Sequence, residues 1–133
     1  MSRVEMVVED HPEWPGAEPR DDLLFIGYWR PATKRISKKM RYYPDPREHV
    51  DPNWEPTEKA LVLQYLRDNQ KVLYSWSGSS TCRICKLRPC GERFCYEDGV
   101  YGWPAGFAHY IEEHDVRVPY AFVEHIMLRA RGL

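Results

Sequence analysis

Cys82 and Cys85 are separated by two residues, and His109 and His114 by four. A Cys-x2-Cys turn lets two sulfurs converge on one ion at ~2.3 Å, and two imidazoles near one helix end reach it at ~2.0–2.1 Å. Together they make a Cys2His2 set suited to a structural zinc ion, and the chemistry expected of residues 82–115 is that of a metal staple. The 23 residues between Cys85 and His109 exceed the short link of a DNA-reading finger, and a β-hairpin within them accounts for the excess. One geometric demand follows. Positions five apart on an ideal helix differ by ~140° in azimuth, so the turn carrying His114 must tighten or unwind for both rings to face one ion.

A second set lies closer together. Cys82, Cys85, Cys90 and Cys95 run C-x2-C-x4-C-x4-C. That spacing resembles a retroviral-type zinc knuckle with cysteine in place of its histidine. Lys86 and Pro89 stand where that family has glycines and Arg83 where it has an aromatic, which counts against its backbone-to-sulfur hydrogen bonds and its single-stranded nucleic-acid function. In a third reading no metal is bound: Cys82 and Cys85 are small buried apolar side chains, and His109 is a core histidine donating to a carbonyl.

The elements that must position these residues can be read from pattern. The chain has 133 residues, 43% hydrophobic and 14% aromatic, which fits one domain of ordinary size, while 11 prolines imply much irregular backbone. Residues 1–22, with His11, Pro12, Pro15, Gly16 and Pro19, read as an extended or partly disordered arm, and residues 23–133 as a single α+β domain. Leu23 to Trp29 suits a buried strand. Prolines 44, 46, 52 and 56 predict a long surface loop without regular structure, up to a helix over about Pro56 to Asn69 with Glu58 in its first turn. A strand follows over KVLYSW, then a hairpin of Arg93 to Tyr96 and Val100 to Trp103 around Asp98-Gly99. Pro104 is expected to open the histidine-bearing helix and Pro119 a last helix burying Phe122, Val123, Ile126 and Met127. The fold class is thus α+β, with a short antiparallel sheet or hairpin, about three helices and a zinc staple in the C-terminal half.

Cys82 through His125 also resembles a set of small bacterial proteins of unknown function sharing CRxC, a DG turn, WPxGxAHYxxxHxVRxP and a Phe-Val helix. The matching elements are Cys82-Arg83-Ile84-Cys85, Asp98-Gly99, Trp103-Pro104-Ala105-Gly106-Phe107-Ala108-His109-Tyr110, His114, Val116-Arg117-Val118-Pro119 and Phe122-Val123, about a third of the chain. The resemblance implies that Cys90 and Cys95 are not needed, that the histidines are ligands, and that Trp103, Pro104 and Tyr110 pack around the site. It implies no activity.

Catalysis is not expected. HYIEEH is neither H-E-x-x-H nor H-x-x-E-H, so Glu112 and Glu113 read as a solvated helix face rather than as a base beside a metal-bound water. A thiol of Cys90 or Cys95 beside His125 has no sequence context favouring nucleophilic chemistry. A net charge of −1 gives no global pull toward nucleic acid or an anionic membrane. Locally, Arg30, Lys34, Arg35, Lys38, Lys39 and Arg41 carry no acid among them and are bracketed by Tyr28, Trp29, Tyr42 and Tyr43. That block could follow phosphates while rings stack on bases, or be neutralised by Asp45, Glu48, Asp51, Glu55 and Glu58. Trp14, Trp29 and Trp54, in proline-rich stretches, are candidate anchors for a protein partner. The absence of a long apolar run or an export signal predicts a cytoplasmic protein with no membrane span, and the resemblance implies a bacterial or phage one. The sequence therefore points to a small protein-interaction or regulatory module held by structural Zn2+, with single-stranded nucleic-acid binding through segment 28–43 as the alternative.

Overall fold

A computed structural model describes residues 18–20, 23–29, 43–75, 81–86 and 93–132, the first three by backbone alone. The six basic residues from Arg30 to Arg41, and Trp14, Tyr42 and Cys90, lie outside the described residues. A five-stranded mixed sheet carries the fold, in the order β1–β2–β5–β4–β3. Its strands are β1 (Glu18–Arg20), β2 (Leu23–Phe25), β3 (Lys71–Ser75), β4 (Phe94–Glu97) and β5 (Tyr101–Pro104). All neighbours are antiparallel except β2 and β5, which run parallel. The expected hairpin, β4 with β5, is thus the centre of a wider and mixed sheet, and Glu18–Arg20, assigned to the arm, is its edge strand. Among the described residues there are three α-helices: α1 (Pro56–Asp68), α2 (Phe107–His114) and α3 (Tyr120–Ala130).

The strand periodicity of two divides the apolar residues between the two faces of the sheet. Leu24, Phe94, Tyr96, Tyr101 and Trp103 join the main core with Val62 and Leu66 of α1, Phe107 and Ile111 of α2, and Phe122 and Ile126 of α3. Leu23, Phe25 and Cys95 form a second cluster, against which Tyr28 packs. Two glycines permit close approach. A Cβ on Gly102 would lie 2.8 Å from the Phe25 ring, and one on Gly27 would lie 2.6 Å from Phe107. Gly27 also holds φ +88°, so it lets the chain leaving β2 turn against the first residue of α2.

Several local expectations are corrected. The Leu23–Trp29 run is a strand only to Phe25, although Ile26 and Trp29 are buried. The proline-rich loop contains a 3-10 turn, Pro46–His49, because Pro46 supplies the fixed φ of a first helical position and the Asp45 carboxylate accepts from Arg47 N–H. Pro46 and His49 in that turn are buried. α1 is capped by the side chain of Glu55, which accepts from the N–H groups of Thr57 and Glu58, and those bonds hold its carboxyl below the usual range. Pro104 closes β5 rather than opening α2, since Ala105 N–H continues the ladder to Phe94 and α2 begins at Phe107. Met127 is 41% exposed, lying one position past the buried Ile126, and His125 takes the inward place instead. Trp29 and Trp54 are core residues, each 4% exposed, which removes them as surface anchors.

Behind the β4–β5 turn lies a buried polar network that spacing alone did not signal. Asp98 Oδ1 accepts from the N–H groups of Val100 (2.9 Å) and Tyr101 (2.7 Å), and Oδ2 accepts from His125 Nε2 (2.7 Å) and the Tyr65 hydroxyl. The hairpin turn is thereby tied to α1 and α3 at once. Burial pushes the Asp98 carboxyl up, but the bonds from His125, Tyr65, Tyr101 and Val100 outweigh it and hold it at about 2. A carboxylate depressed from ~3.9 in the unfolded chain contributes roughly 2–3 kcal/mol, fully present above pH ~4 and lost as pH falls through the folded value. Asp98→Asn, which sets an amide N–H against two donors, is expected to lower stability by about 3 kcal/mol at pH 7. The gap to the unsubstituted protein should narrow between pH 4 and 2. Urea midpoints at pH 7, 4 and 2.5 test this, and a gap independent of pH contradicts it.

Candidate metal centre

Residues 81–86 form a tight turn whose sulfur-bearing residues face α2. The Cys82 carbonyl accepts from Lys86 N–H (2.9 Å), and the Cys82 sulfur accepts weakly from the N–H groups of Ile84 (3.4 Å) and Cys85 (3.5 Å). These are the backbone-to-sulfur bonds that the missing glycines had counted against. The turn ends on Lys86, which itself adopts a left-handed conformation, φ +61°. Cys82 is fully buried within the main core, while Ile84 and Cys85 pack against that core and are only half-buried. One backbone bond docks the turn on the helix, Arg83 N–H donating to the Tyr110 hydroxyl at 2.8 Å, beside the contact of the Cys85 sulfur with His109.

α2 is set by its inward face. Phe107, Tyr110 and Ile111 are buried at i, i+3 and i+4, and the Trp29 ring lies 5.5 Å from that of Tyr110. His109 and His114 are left on the flank toward the turn of residues 81–86. The winding that this requires is visible at the C-terminus. Asp115 N–H bonds the Tyr110 carbonyl five residues back, Val116 N–H reaches the same carbonyl (3.2 Å), and Asp115 stands at φ +53°. A bond to i−5 instead of i−4 unwinds the last turn, so His109 and His114 subtend less than the ideal ~140°. The unwound end is held from outside by Lys59 Nζ, which donates to Asp115 (2.6 Å) and to the Glu112 carbonyl (3.3 Å). A bridge between Val50 and Val116 and a bond from Arg117 N–H to the His49 carbonyl (2.9 Å) hold it further.

The outcome is a cluster. One donor atom from each of Cys82, Cys85, His109 and His114 lies within 4.8 Å of all the others, and this group could hold a metal ion. Cys85 Sγ and His109 Nε2 are 3.4 Å apart, close to the roughly 3.6 Å edge of a tetrahedron with the sulfur and nitrogen bond lengths of zinc. The His109 and His114 ring centroids are 5.1 Å apart. His114 Nε2 is buried with no hydrogen-bond partner, the condition of an atom that a metal would satisfy. Burial, and then the proximity of His109, lower the His114 pKa, favouring the neutral imidazole that can donate a lone pair. The three described cysteines are all unpaired by disulfide.

Cys95 is not in this cluster. Its sulfur accepts from the Tyr28 hydroxyl (3.1 Å) beside Leu23 and Phe25, and burial and the bonds to Cys95 and Tyr74 raise the Tyr28 pKa. His125 meets Asp98 and Tyr65. Glu112 is paired with Arg67 (2.7 Å). The acidic block finds local partners, Asp51 with Arg117 (3.0 Å) and Asp45 with Arg47 (3.2 Å). Tyr110 as the docking hydroxyl and Asp115 as the left-handed cap were not foreseen. For Tyr110 the signals were the packing around the site that the resemblance implied and its place one residue after His109, and for Asp115 only an aspartate at a helix end.

No protein-family model matches the chain, and no curated protein or solved structure matches it. The functional reading therefore rests on the geometry of the site.

A lysine at φ +61° carries a steric cost of about 1–2 kcal/mol that glycine avoids, partly offset by the greater freedom of glycine in the unfolded chain. Lys86→Gly should leave stability unchanged or raise it by up to about 1 kcal/mol, whereas Lys86→Val should lower it by about 1–2 kcal/mol. Thermal melts of the two variants at matched metal content check the order, and Val equal to Gly would show that the turn does not demand that conformation.

Proposed function

We propose that this protein is a small zinc-binding module in which Cys82, Cys85, His109 and His114 hold one structural Zn2+, and that it acts by binding another protein rather than by catalysis. The observation that carries the reading is the convergence of four soft and borderline donors from two separate elements, with the buried Nε2 of His114 otherwise unsatisfied. Two thiolates and two imidazoles favour zinc over the oxygen-loving cations. When bound, the ion supplies cross-linking: it fastens residues 81–86 to the end of α2. Four protein donors complete a tetrahedron and leave no position for a substrate or a reactive water, the arrangement of structural rather than catalytic sites.

The partner role draws on the surface. An open groove of about 330 Å³ between α1 and α3 is lined by Leu61, Tyr65, Ile126 and Arg129, among others. Leu61, on its rim, and Met127, next to Ile126, are exposed apolar side chains. No helix among the described residues is long and apolar enough to cross a membrane.

Purified protein is expected to carry about one zinc per chain. Because the ligands converge only in the folded state, a strong chelator should lower stability by about 3 kcal/mol or more and the thermal midpoint by roughly 10 °C or more. His109→Ala or His114→Ala should abolish stoichiometric zinc, while the pair Cys90→Ser and Cys95→Ser should retain it. The reverse pattern selects the all-cysteine set, and folded protein that never takes up zinc ends the reading. Binding to single-stranded oligonucleotides is expected to be negligible even at low salt. A steep salt slope lost on substituting Lys34, Arg35, Lys38 and Lys39 would place the function with nucleic acid instead.

A further inference from the structure

The two sulfurs of the metal cluster differ in a way that a purely structural staple does not require. Cys82 is fully buried in the main core and accepts two backbone N–H groups, whereas Cys85 is half-buried at the outer side of the same turn. Both are free of disulfide bonds, and their sulfurs lie within 4.8 Å of each other. Closing them to the ~2.05 Å of a disulfide requires an approach of under ~3 Å within a single four-residue turn. Burial thus assigns an order: the outer sulfur meets a small oxidant first, and the inner one is close enough to resolve it.

From this juxtaposition we propose, resting on the metal-site reading above, that Cys82 and Cys85 form a peroxide-sensitive thiol switch that opens the clamp between residues 81–86 and α2. The Cys85 thiolate attacks one oxygen of hydrogen peroxide. The O–O bond breaks, Cys85 becomes a sulfenic acid, and the departing hydroxide takes a proton to become water. The Cys82 thiolate then attacks the Cys85 sulfur. The S–S bond forms, the S–O bond breaks, and the second hydroxide also leaves as water. Each sulfur loses one electron and peroxide gains two, with two protons consumed. A disulfide offers neither thiolate, so His109 and His114 alone remain as donors, and two imidazoles do not hold zinc against dilution. What then docks the turn on α2 is the Arg83 N–H bond to the Tyr110 hydroxyl, together with the packing of Cys82 and Ile84. A thiol reductant restores both donors, because the disulfide is the reversible rung of the oxidation series.

The full chain loaded with zinc is the material for the test. It is titrated with hydrogen peroxide, with released zinc followed by a chromophoric chelator and the cysteines mapped by mass spectrometry. The expected result is one zinc released per Cys82–Cys85 disulfide, seen as a peptide ~2 Da lighter, with zinc uptake regained after a thiol reductant and added zinc. Brief alkylation of metal-free protein should label Cys85 several-fold faster than Cys82. Zinc retained at peroxide levels that fully oxidise the metal-free form overturns the switch while leaving the metal site standing. Zinc release with Cys85 bridged to Cys90 or Cys95, or driven to sulfinic acid while Cys82 stays reduced, overturns it as well. A chain that never binds zinc overturns the metal-site reading, and the switch with it.

Discussion

Two imidazoles five positions apart can serve one ion only where the helix between them gives up its regular winding. That constraint organises the surrounding structure. The Tyr110 carbonyl accepts from both Asp115 and Val116, leaving the last turn of α2 wide and driving Asp115 into a left-handed conformation. An aspartate tolerates that conformation better than most residues because its short side chain can bond locally. Here the bond goes to Lys59 of α1. The chain that leaves the cap at Val116 is caught by Val50, and Arg117 bonds both the His49 carbonyl and the Asp51 carboxylate. The path of the proline-rich segment is therefore part of the histidine geometry, because it braces the unwound helix end from the side away from the thiols.

The same helix is fixed at its other end by the sheet. β5 delivers the chain to Gly106, and Gly27 allows Phe107 to press against the end of β2. β5 is held in register by the β4–β5 turn, which Asp98 anchors to Tyr65 of α1 and His125 of α3 through bonds that bury its charge. A buried carboxylate is tolerable only when its lone pairs are filled, and four donors fill these. Asp98 thus acts at a distance from the thiols as a positioning residue for α2. The hairpin from Phe94 to Pro104 lies in the interval between Cys85 and His109, the place expected of it from the length of that interval.

Legibility differed by the type of signal. Apolar spacing marked α1 and α3, where burial recurs on one face of a helix, and turn chemistry marked the hairpin, whereas β3, marked by strand alternation, is exposed along its whole length. The four clustered residues were readable because thiolate and imidazole pairs at short spacings have few other uses. What remained hidden was the chemistry of single side chains whose partners are far away in sequence. Nothing about Asp98-Gly99 beyond its turn propensity announced that the carboxylate would point inward to residues 33 positions before and 27 positions after it. Proline was misread twice, at Pro46 and Pro104, because it fits the start of a helix, the end of a strand and a loop equally well. Trp29 and Trp54 were offered as surface anchors because they lie in proline-rich stretches, yet ring size decides in favour of burial once a core lies within reach.

The placement of the cluster also bears on what supports the turn of residues 81–86. Each residue fixed in a single conformation costs about 1–2 kcal/mol of entropy, and the six residues from Thr81 to Lys86 have few contacts to offset it. They make two hydrogen bonds within the turn, from Lys86 N–H to the Cys82 carbonyl and from the Arg83 side chain to the Thr81 carbonyl, two weak ones to the Cys82 sulfur, and two to α2, at Tyr110 and His109, and one of them holds a conformation unfavourable to lysine. Burial of Cys82 and partial burial of Ile84 contribute no more than a small apolar patch. A turn so weakly self-supporting would not be expected to keep two thiols facing two imidazoles, one with its Nε2 buried and unsatisfied, unless something bound by all four favoured that arrangement. The cost of the turn and the orphaned nitrogen meet at one place in the fold, where the four side chains could hold a metal ion.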